Sequence, residues 1–452
     1  MKRNISLWSV PWYFLFFLML FAPVSYKPLK IALIITVLVV VLLTVIRRKD
    51  KIIPLNKQVF WLTLFFTSLG AFFTLLGLFK GTPGALTVAT VHIFWPWLYL
   101  FFIIGMNNKN TINQTLNVMV IATIAIELYS LSYVFYSKGM LPSYLYLDLN
   151  LRKNVGFHDG YVEVSLDSTG SLVFLLPFIL SAICLWKEDQ RININRKLLW
   201  ASFILGCIYL LLSGRRALLI TTAFSPVILL FFAFFYQKKI RMRIYRSLRW
   251  LAVITVFVSV IGFSYLKTTM GYDLSLFKEM ISSAFDFNDS SNVSAHVRET
   301  QFVALLDGWS QNPLFGNGFG AVASVIRNEE APWSYELQYF DYLFHTGIVG
   351  VFSYGFGIFW IIFQGIKMIK SKTKVGILIT PLLVGMISFL IANSSNPYLN
   401  KYDFLWTIFL PIGFINYYLT NKTIINSEEL KEEHNEKVIP KKRKFKKYKI
   451  TW

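Results

Sequence analysis

Apolar residues along this chain gather into blocks of roughly 15 to 25, most of them 18 or longer, separated by short polar stretches, and a helix needs about 20 apolar residues to cross the hydrocarbon core of a bilayer. Twelve blocks stand out, at about 7–25, 29–46, 58–79, 85–106, 112–136, 166–186, 198–212, 217–236, 248–266, 343–366, 375–392 and 402–420. Each predicts a membrane-crossing helix, so the expected fold is an all-α polytopic membrane protein with about twelve spans. Most connections are short. Two are longer, at about 137–165 and 267–342, and a long connection inside a compact protein is usually functional.

The polar stretches orient the chain. Arg47, Arg48, Lys49 and Lys51 follow the second block, Lys238, Lys239, Arg241 and Arg243 the eighth, and Lys367, Lys370, Lys372 and Lys374 the tenth. Basic loops mark the cytoplasmic side. With both termini inside, 32 of the 45 Lys and Arg residues fall in cytoplasmic segments and 13 outside. Both long loops then face outward. The first block is too long for a signal-peptide core and lacks a small-residue cleavage site, so it is expected to stay as a helix. Residues 1–420 form the expected membrane domain and 421–452 a basic cytoplasmic tail.

Composition fits this picture and closes off others. The chain of 452 residues is 55% hydrophobic and 15% charged, whereas roughly a quarter of a soluble protein is charged. A soluble enzyme is excluded. The net charge of +21 is mostly orientation signal, and the run Lys441, Lys442, Arg443, Lys444, Lys446, Lys447 and Lys449 suits anionic lipid headgroups. No nucleic-acid partner is expected. Cys184 and Cys207 lie within spans and read as core residues, and no cluster has the spacing of metal ligands.

In the 267–342 loop, Phe277, Met280, Ile281, Ala284 and Phe285 recur at helical spacing, and so do Phe302, Leu305, Leu306 and Trp309. Two amphipathic helices at the outer membrane face are predicted. Arg298 falls in the middle of the second apolar face. Either its stem snorkels to the headgroups or its guanidinium aims inward at an anion. Pro313-Leu-Phe-Gly316-Asn-Gly318-Phe-Gly320 follows; alternate glycines suit a structural turn or a phosphate-facing nest. Ser213-Gly214-Arg215-Arg216 places two arginines between spans on the side that normally avoids them, which fits headgroup contact or a phosphate-bearing lipid. Glu127, inside the fifth span, reads as a coupling acid or a partner to a neighbouring helix. His92 reads as a core histidine.

Leu212-Ser213-Gly214-Arg215-Arg216-Ala217-Leu218, Arg298 followed by Trp309, Pro313, Gly316, Gly318 and Gly320, and Gly347-Ile348-Val349-Gly350 at the tenth block together resemble the O-antigen polymerase and ligase superfamily. These are membrane glycosyltransferases that use undecaprenyl-diphosphate-linked glycans. The likeness covers about residues 198–366. It implies arginines of the long outer loop holding a diphosphate, work in the bacterial cytoplasmic membrane, and other polysaccharide-assembly proteins, such as a flippase and a chain-length regulator, as partners. Ligases of this family typically carry a His-Asn pair about ten residues before the Gly-hydrophobic-hydrophobic-Gly step. Here Glu336 and Leu337 stand there, which favours a polymerase over a ligase. A lipid-oligosaccharide flippase is a third reading, because twelve spans with both termini inside is a common transporter layout, although such folds usually have two related halves.

A sugar on a lipid diphosphate is already activated. Transfer needs only stabilisation of the leaving diphosphate and a base for the acceptor hydroxyl, so no metal or other cofactor is expected. Arg215 and Arg298 are the expected diphosphate ligands, with Arg216, His296, Arg327 and the three loop glycines Gly316, Gly318 and Gly320 in substrate binding. Candidate bases are Glu336, Asp341, His296 and His345, with Glu336 favoured.

Overall fold

The computed structural model describes residues 10–46, 53–151, 153–158, 161–185, 194–271, 275, 293–371 and 373–438. A helix overlies each of the twelve apolar blocks. In chain order these are α1 (Val10–Phe21), α2 (Lys27–Ile46), α3 (Lys57–Phe79), α4 (Ala85–Gly105), α5 (Lys109–Ser137), α6 (Thr169–Leu185), α7 (Arg196–Leu212), α8 (Arg216–Ala233) and α9 (Lys238–Met270). After the amphipathic α10 (Val293–Ser310) come α11 (Gln338–Lys370), α12 (Lys374–Ala392) and α13 (Trp406–Val438). Seven of the described helices are long and apolar enough to cross a membrane, and α1 and α6 are apolar but shorter.

Local chemistry starts these helices where they start. Asn56, Asn108, Asn195 and Thr373 each turn a side-chain oxygen onto an amide of the first helical turn, which satisfies one of the donors that a helix N-terminus leaves unpaired. α4 carries a π-helical turn at Thr90–Phe94. Helix α12 packs against α6, α8, α11 and α13, and Ile379, Leu382, Leu383, Val384 and Met386 are shut off from solvent. α9 shows the opposite pattern, with Trp250, Val253, Val256, Phe257 and Val260 all exposed. An apolar face turned outward on a long helix is the face a bilayer covers.

The fold departs from an all-helical chain in the 137–165 connection, where β1 (Lys153–His158) and β2 (Tyr161–Leu166) form an antiparallel hairpin, Lys153 opposite Leu166 and His158 opposite Tyr161. The last helix also runs unbroken past residue 421 to Val438, so no structural break marks the expected start of the tail. The first expected amphipathic helix of the long loop, about Phe277 to Phe285, and the basic run after residue 440 lie outside the described residues.

Helix α11 is bent near its start, at Gly347, with φ 61° and ψ −169°. The bend frees backbone groups that would otherwise pair along the helix, and the glycine-rich loop takes them up. Ile348 and Val349 donate to the carbonyls of Pro313 and Leu314 at 3.0 and 3.1 Å, while Asn317 and Gly318 donate to the carbonyls of Phe344 and His345, both at 2.9 Å. On its other side the loop grips the end of α3, with Phe319 N–H on the Phe73 carbonyl at 3.0 Å and Thr82 Oγ1 on the Phe319 carbonyl at 2.7 Å. The glycines are required by close approach as much as by φ. A Cβ on Gly318 (φ +83°) would lie 2.4 Å from the Gly77 nitrogen, and one on Gly320 (φ +78°) 2.1 Å from the Ala85 nitrogen.

Candidate functional site

The clasp between α3, the glycine loop and α11 positions the segment just before α11, which carries Glu336. Both oxygens of its carboxylate hold an arginine: Arg298 Nε donates to Oε2 at 2.7 Å, and Arg327 Nη2 lies 2.6 Å from Oε1. The Glu336 amide donates to Gln301 Oε1 at 3.0 Å. Arg298 and Gln301 are one turn apart on α10, and Leu305, a further turn on, is buried in a small cluster with Ala321, Tyr335 and Phe344. The side of α10 that packs carries Gln301, Ala304 and Leu305, whereas Phe302 is 37% exposed, so the buried face shares Leu305 with the predicted one but is turned from it, and Arg298 sits at its end. Each arginine side chain is 37% exposed and Glu336 16%, so the carboxylate is the shielded centre and the two guanidinium groups its solvent-facing rim. Such a rim suits a multivalent anion, because guanidinium stays charged and grips phosphate oxygens in pairs.

Below the clamp lies a buried polar cluster. Asp341 Oδ1 is 2.9 Å from His345 Nδ1, and Asp341 Oδ2 accepts from Asn400 Nδ2 at 3.0 Å. Gln338 Nε2 donates to Asn400 Oδ1 at 2.8 Å. His345 turns its other ring nitrogen to the Ala321 carbonyl at 3.1 Å. With both nitrogens engaged and the ring 4% exposed, His345 braces the glycine loop. Tyr335 takes the Ala323 amide onto its hydroxyl at 2.6 Å; burial raises the pKa of that hydroxyl, the Ala323 hydrogen bond opposes the rise and Asp341 adds to it.

The second arginine pair opens α8. Gly214 takes a left-handed φ of 57° just after α7, and Arg215 then occupies the N-cap of α8, with Arg216 as its first residue. A helix N-terminus already carries partial positive charge, and two guanidinium groups there deepen it. Arg215 lies within electrostatic reach of Tyr398, whose hydroxyl pKa is raised by burial, lowered by Arg215 and raised by Asp167. Tyr398 belongs to the connection between α12 and α13, two residues before Asn400. The two arginine groups therefore flank one loop at one end of the bundle.

Arg216 also lines a cavity of about 1090 Å³ between α6, α7, α8 and α9, walled by apolar side chains such as Leu180, Phe203, Ile220, Ala252 and Phe263, with Arg249 at its other end. Its α8 wall runs from Arg216 to Leu230, about 20 Å at 1.5 Å per residue. Glu127, fully buried, lies behind this wall, close to Gly206. A second cavity of about 320 Å³ is lined by His92, Tyr339, Tyr342, Tyr354, Leu399 and Phe409. His92 stacks on Phe319 at 4.3 Å and 16°, as a core histidine does.

Several expected site residues thus come together and others do not. Glu336, Arg298 and Arg327 form one cluster, and Arg215 and Arg216 form another across the α12–α13 loop. His296 is 73% exposed and faces Glu299 at 3.7 Å, two residues and therefore about 200° around α10 from Arg298; it does not join them. Gly316 and Gly318 make a turn rather than a phosphate nest, and Gly320 lies against the backbone of Gly84 and Ala85. The amides of Gly316 and Gly318, and of Asn317 and Phe319 beside them, are already bonded within the protein. The periodicity contains no hint of Gln301, Gln338, Asn400 or Asp167, because neutral amides and loop acids acquire a role only through partners distant in sequence. Among the described residues no group of three His, Cys, Asp or Glu side chains is placed to hold a metal ion. A scan against protein-family models and a search of curated proteins each return no match.

Proposed function

We propose that this protein is a membrane glycosyltransferase that joins lipid-diphosphate-linked oligosaccharide repeat units on the outer face of the cytoplasmic membrane, as a polysaccharide polymerase. The observation that carries the reading is the long apolar cavity with Arg216 in its wall, at the first residue of α8, and Arg215 next to it in sequence, a shape and charge suited to a phosphate-headed lipid whose hydrocarbon tail lies along the helices. The Arg298–Glu336–Arg327 clamp supports it as a second anion-binding element at the same end. In this reading the twelve helical blocks are spans, both termini are cytoplasmic and the clamp faces outward.

The chemistry follows from these groups. The diphosphate draws Arg298 and Arg327 from Glu336, which strips the carboxylate of its two donors and leaves it able to accept a proton. The acceptor hydroxyl oxygen attacks the anomeric carbon and its proton passes to Glu336. The bond from that carbon to the diphosphate oxygen breaks, and the electron pair leaves with the diphosphate. Arginines stabilise the charge as it grows. Lysine keeps the charge but loses the planar fork, so Arg298→Lys and Arg215→Lys should each slow transfer by about a hundredfold, on the order of 3 kcal/mol, at near-normal protein levels. The assay is purified protein with lipid-linked repeat units: a ladder of longer glycans is expected from the unaltered chain. Full-length polymer from both lysine variants overturns the site. A single transfer to a lipid-A-like acceptor indicates a ligase, and repeats trapped on the inner leaflet of a deletion strain indicate a flippase.

A further inference from the structure

The charged pair deepest in the described structure lies away from both arginine groups. Lys30, in the first turn of α2, is 1% exposed, and so is Asp403. Lys30 Nζ donates to Asp403 Oδ1 at 2.6 Å and to the Ala22 carbonyl at 2.8 Å, and the Val24 amide donates to Asp403 Oδ2 at 3.0 Å. That last bond is made from an unusual backbone. Val24 has φ 68° and Tyr26 φ 55°, a region that β-branched residues in particular avoid, and such conformations persist where the surroundings over-determine them. The α1–α2 turn is thus bent so that the Val24 amide and the Lys30 ammonium both donate to one carboxylate, while the Ala22 carbonyl accepts a further bond from the ammonium.

A buried ion pair is a poor source of stability, since apolar residues of similar volume often do as well or better. What distinguishes this one is what it holds. Asp403 stands at the end of the α12–α13 loop, which carries Tyr398, packed on Gly170 of α6 and within electrostatic reach of Arg215, and binds Asp341 and Gln338 through Asn400. Gln338 is two residues from Glu336. The remainder of the loop is braced at the same end: Leu399 N–H donates to Asn393 Oδ1 at 3.0 Å, and the Tyr402 ring stacks on Trp95 at 4.3 Å and 5°. One loop therefore touches both arginine neighbourhoods, and the α1–α2 turn fixes one end of it.

We propose that Lys30 and Asp403 are positioning residues, a strut that holds the α12–α13 loop so that the Arg215–Arg216 pair and the Arg298–Glu336–Arg327 clamp keep a fixed separation, and with it the alignment of a lipid diphosphate against an acceptor hydroxyl. The inference rests on the transferase reading for its consequence, and on the loop contacts alone for its geometry. Misalignment acts on turnover more than on binding: about 1 Å in reacting geometry costs on the order of a hundredfold in rate.

The test uses the double variant Lys30→Met/Asp403→Leu, which leaves no buried charge unpaired, together with a Lys30→Met/Asp403→Asn control, which also leaves none and retains an acceptor for Val24; thermal unfolding checks that both fold. In full-length protein in lipid nanodiscs, the double variant should lose about a hundredfold in kcat with KM for lipid-linked repeats within about twofold, and the Lys30→Met/Asp403→Asn control should lie between it and the unaltered chain. A second readout needs no activity. With Cys184 and Cys207 replaced by Ala, spin labels at Lys401→Cys and Glu299→Cys should report a narrow distance distribution, broadened by the double variant. An unchanged distribution overturns the strut, whatever happens to turnover, and so does normal kcat in a folded double variant. A broadened distribution in a protein whose unaltered form makes no polymer upholds the strut and rejects the transferase reading.

Discussion

At the scale of single residues, the carboxylate of Glu336 decides the arrangement of the candidate site. Two arginines far from each other in sequence share it, one on α10 and one in the loop before α11. Arg298 could be singled out beforehand, since a cation on an apolar helix face is costly without a partner. The partner itself could not, because an i+38 relation has no periodicity. Glu336→Gln offers one acceptor oxygen and places an NH2 group against the second guanidinium, so the clamp should open on one side. Turnover should fall by about a hundredfold or more, with lipid-diphosphate binding retained or tightened as the freed arginine becomes available. Single-turnover kinetics alongside equilibrium binding of the lipid-linked donor would show this split; equal losses in both would indicate that Glu336 serves binding alone.

At the scale of elements, the glycine loop and the bend in α11 are one device. Each supplies the donors and acceptors that the other lacks, and α3 closes the back of it. Both glycine runs were conspicuous in the sequence, yet their relation was not: a turn and a phosphate nest demand the same residues, and only the backbone partners distinguish them. Gly318→Ala forces a Cβ into the backbone of Gly77 at a left-handed position and should destabilise the protein by at least about 2 kcal/mol. Gly355→Ala makes the matching control. A Cβ there meets nothing within 4 Å, and the change in a helix interior should be neutral or stabilising by up to about 1 kcal/mol. Thermal unfolding in detergent compares the two; equal melting temperatures for both variants would show that the clasp is not under the constraint described.

At the scale of the whole molecule, the distribution of basic residues predicts that the clamp and the α12–α13 loop face away from the cytoplasm, with the last helix leaving on the opposite side. Glu330→Cys should react with an impermeant thiol reagent added to intact cells stripped of any outer envelope. A phosphatase fused after Asn421 should be inactive. Labelling only after membrane lysis, or an active fusion, would invert the topology. It would also remove the lipid-linked substrate from reach of the arginines.

Hydrophobic blocks of membrane-crossing length, the caps that start four of the helices, the bias of charge between loops and the helical period of α10 were all determined by local sequence, because each depends on composition and period within one segment. The tertiary structure alone decided which charges meet. Arg298 with Arg327 through Glu336, Lys30 with Asp403, and Asn400 with Asp341 and Gln338 are pairings across tens to hundreds of residues. No local preference encodes them, since in a low-dielectric interior a polar group is held by whichever partner the packing of helices brings within hydrogen-bond reach.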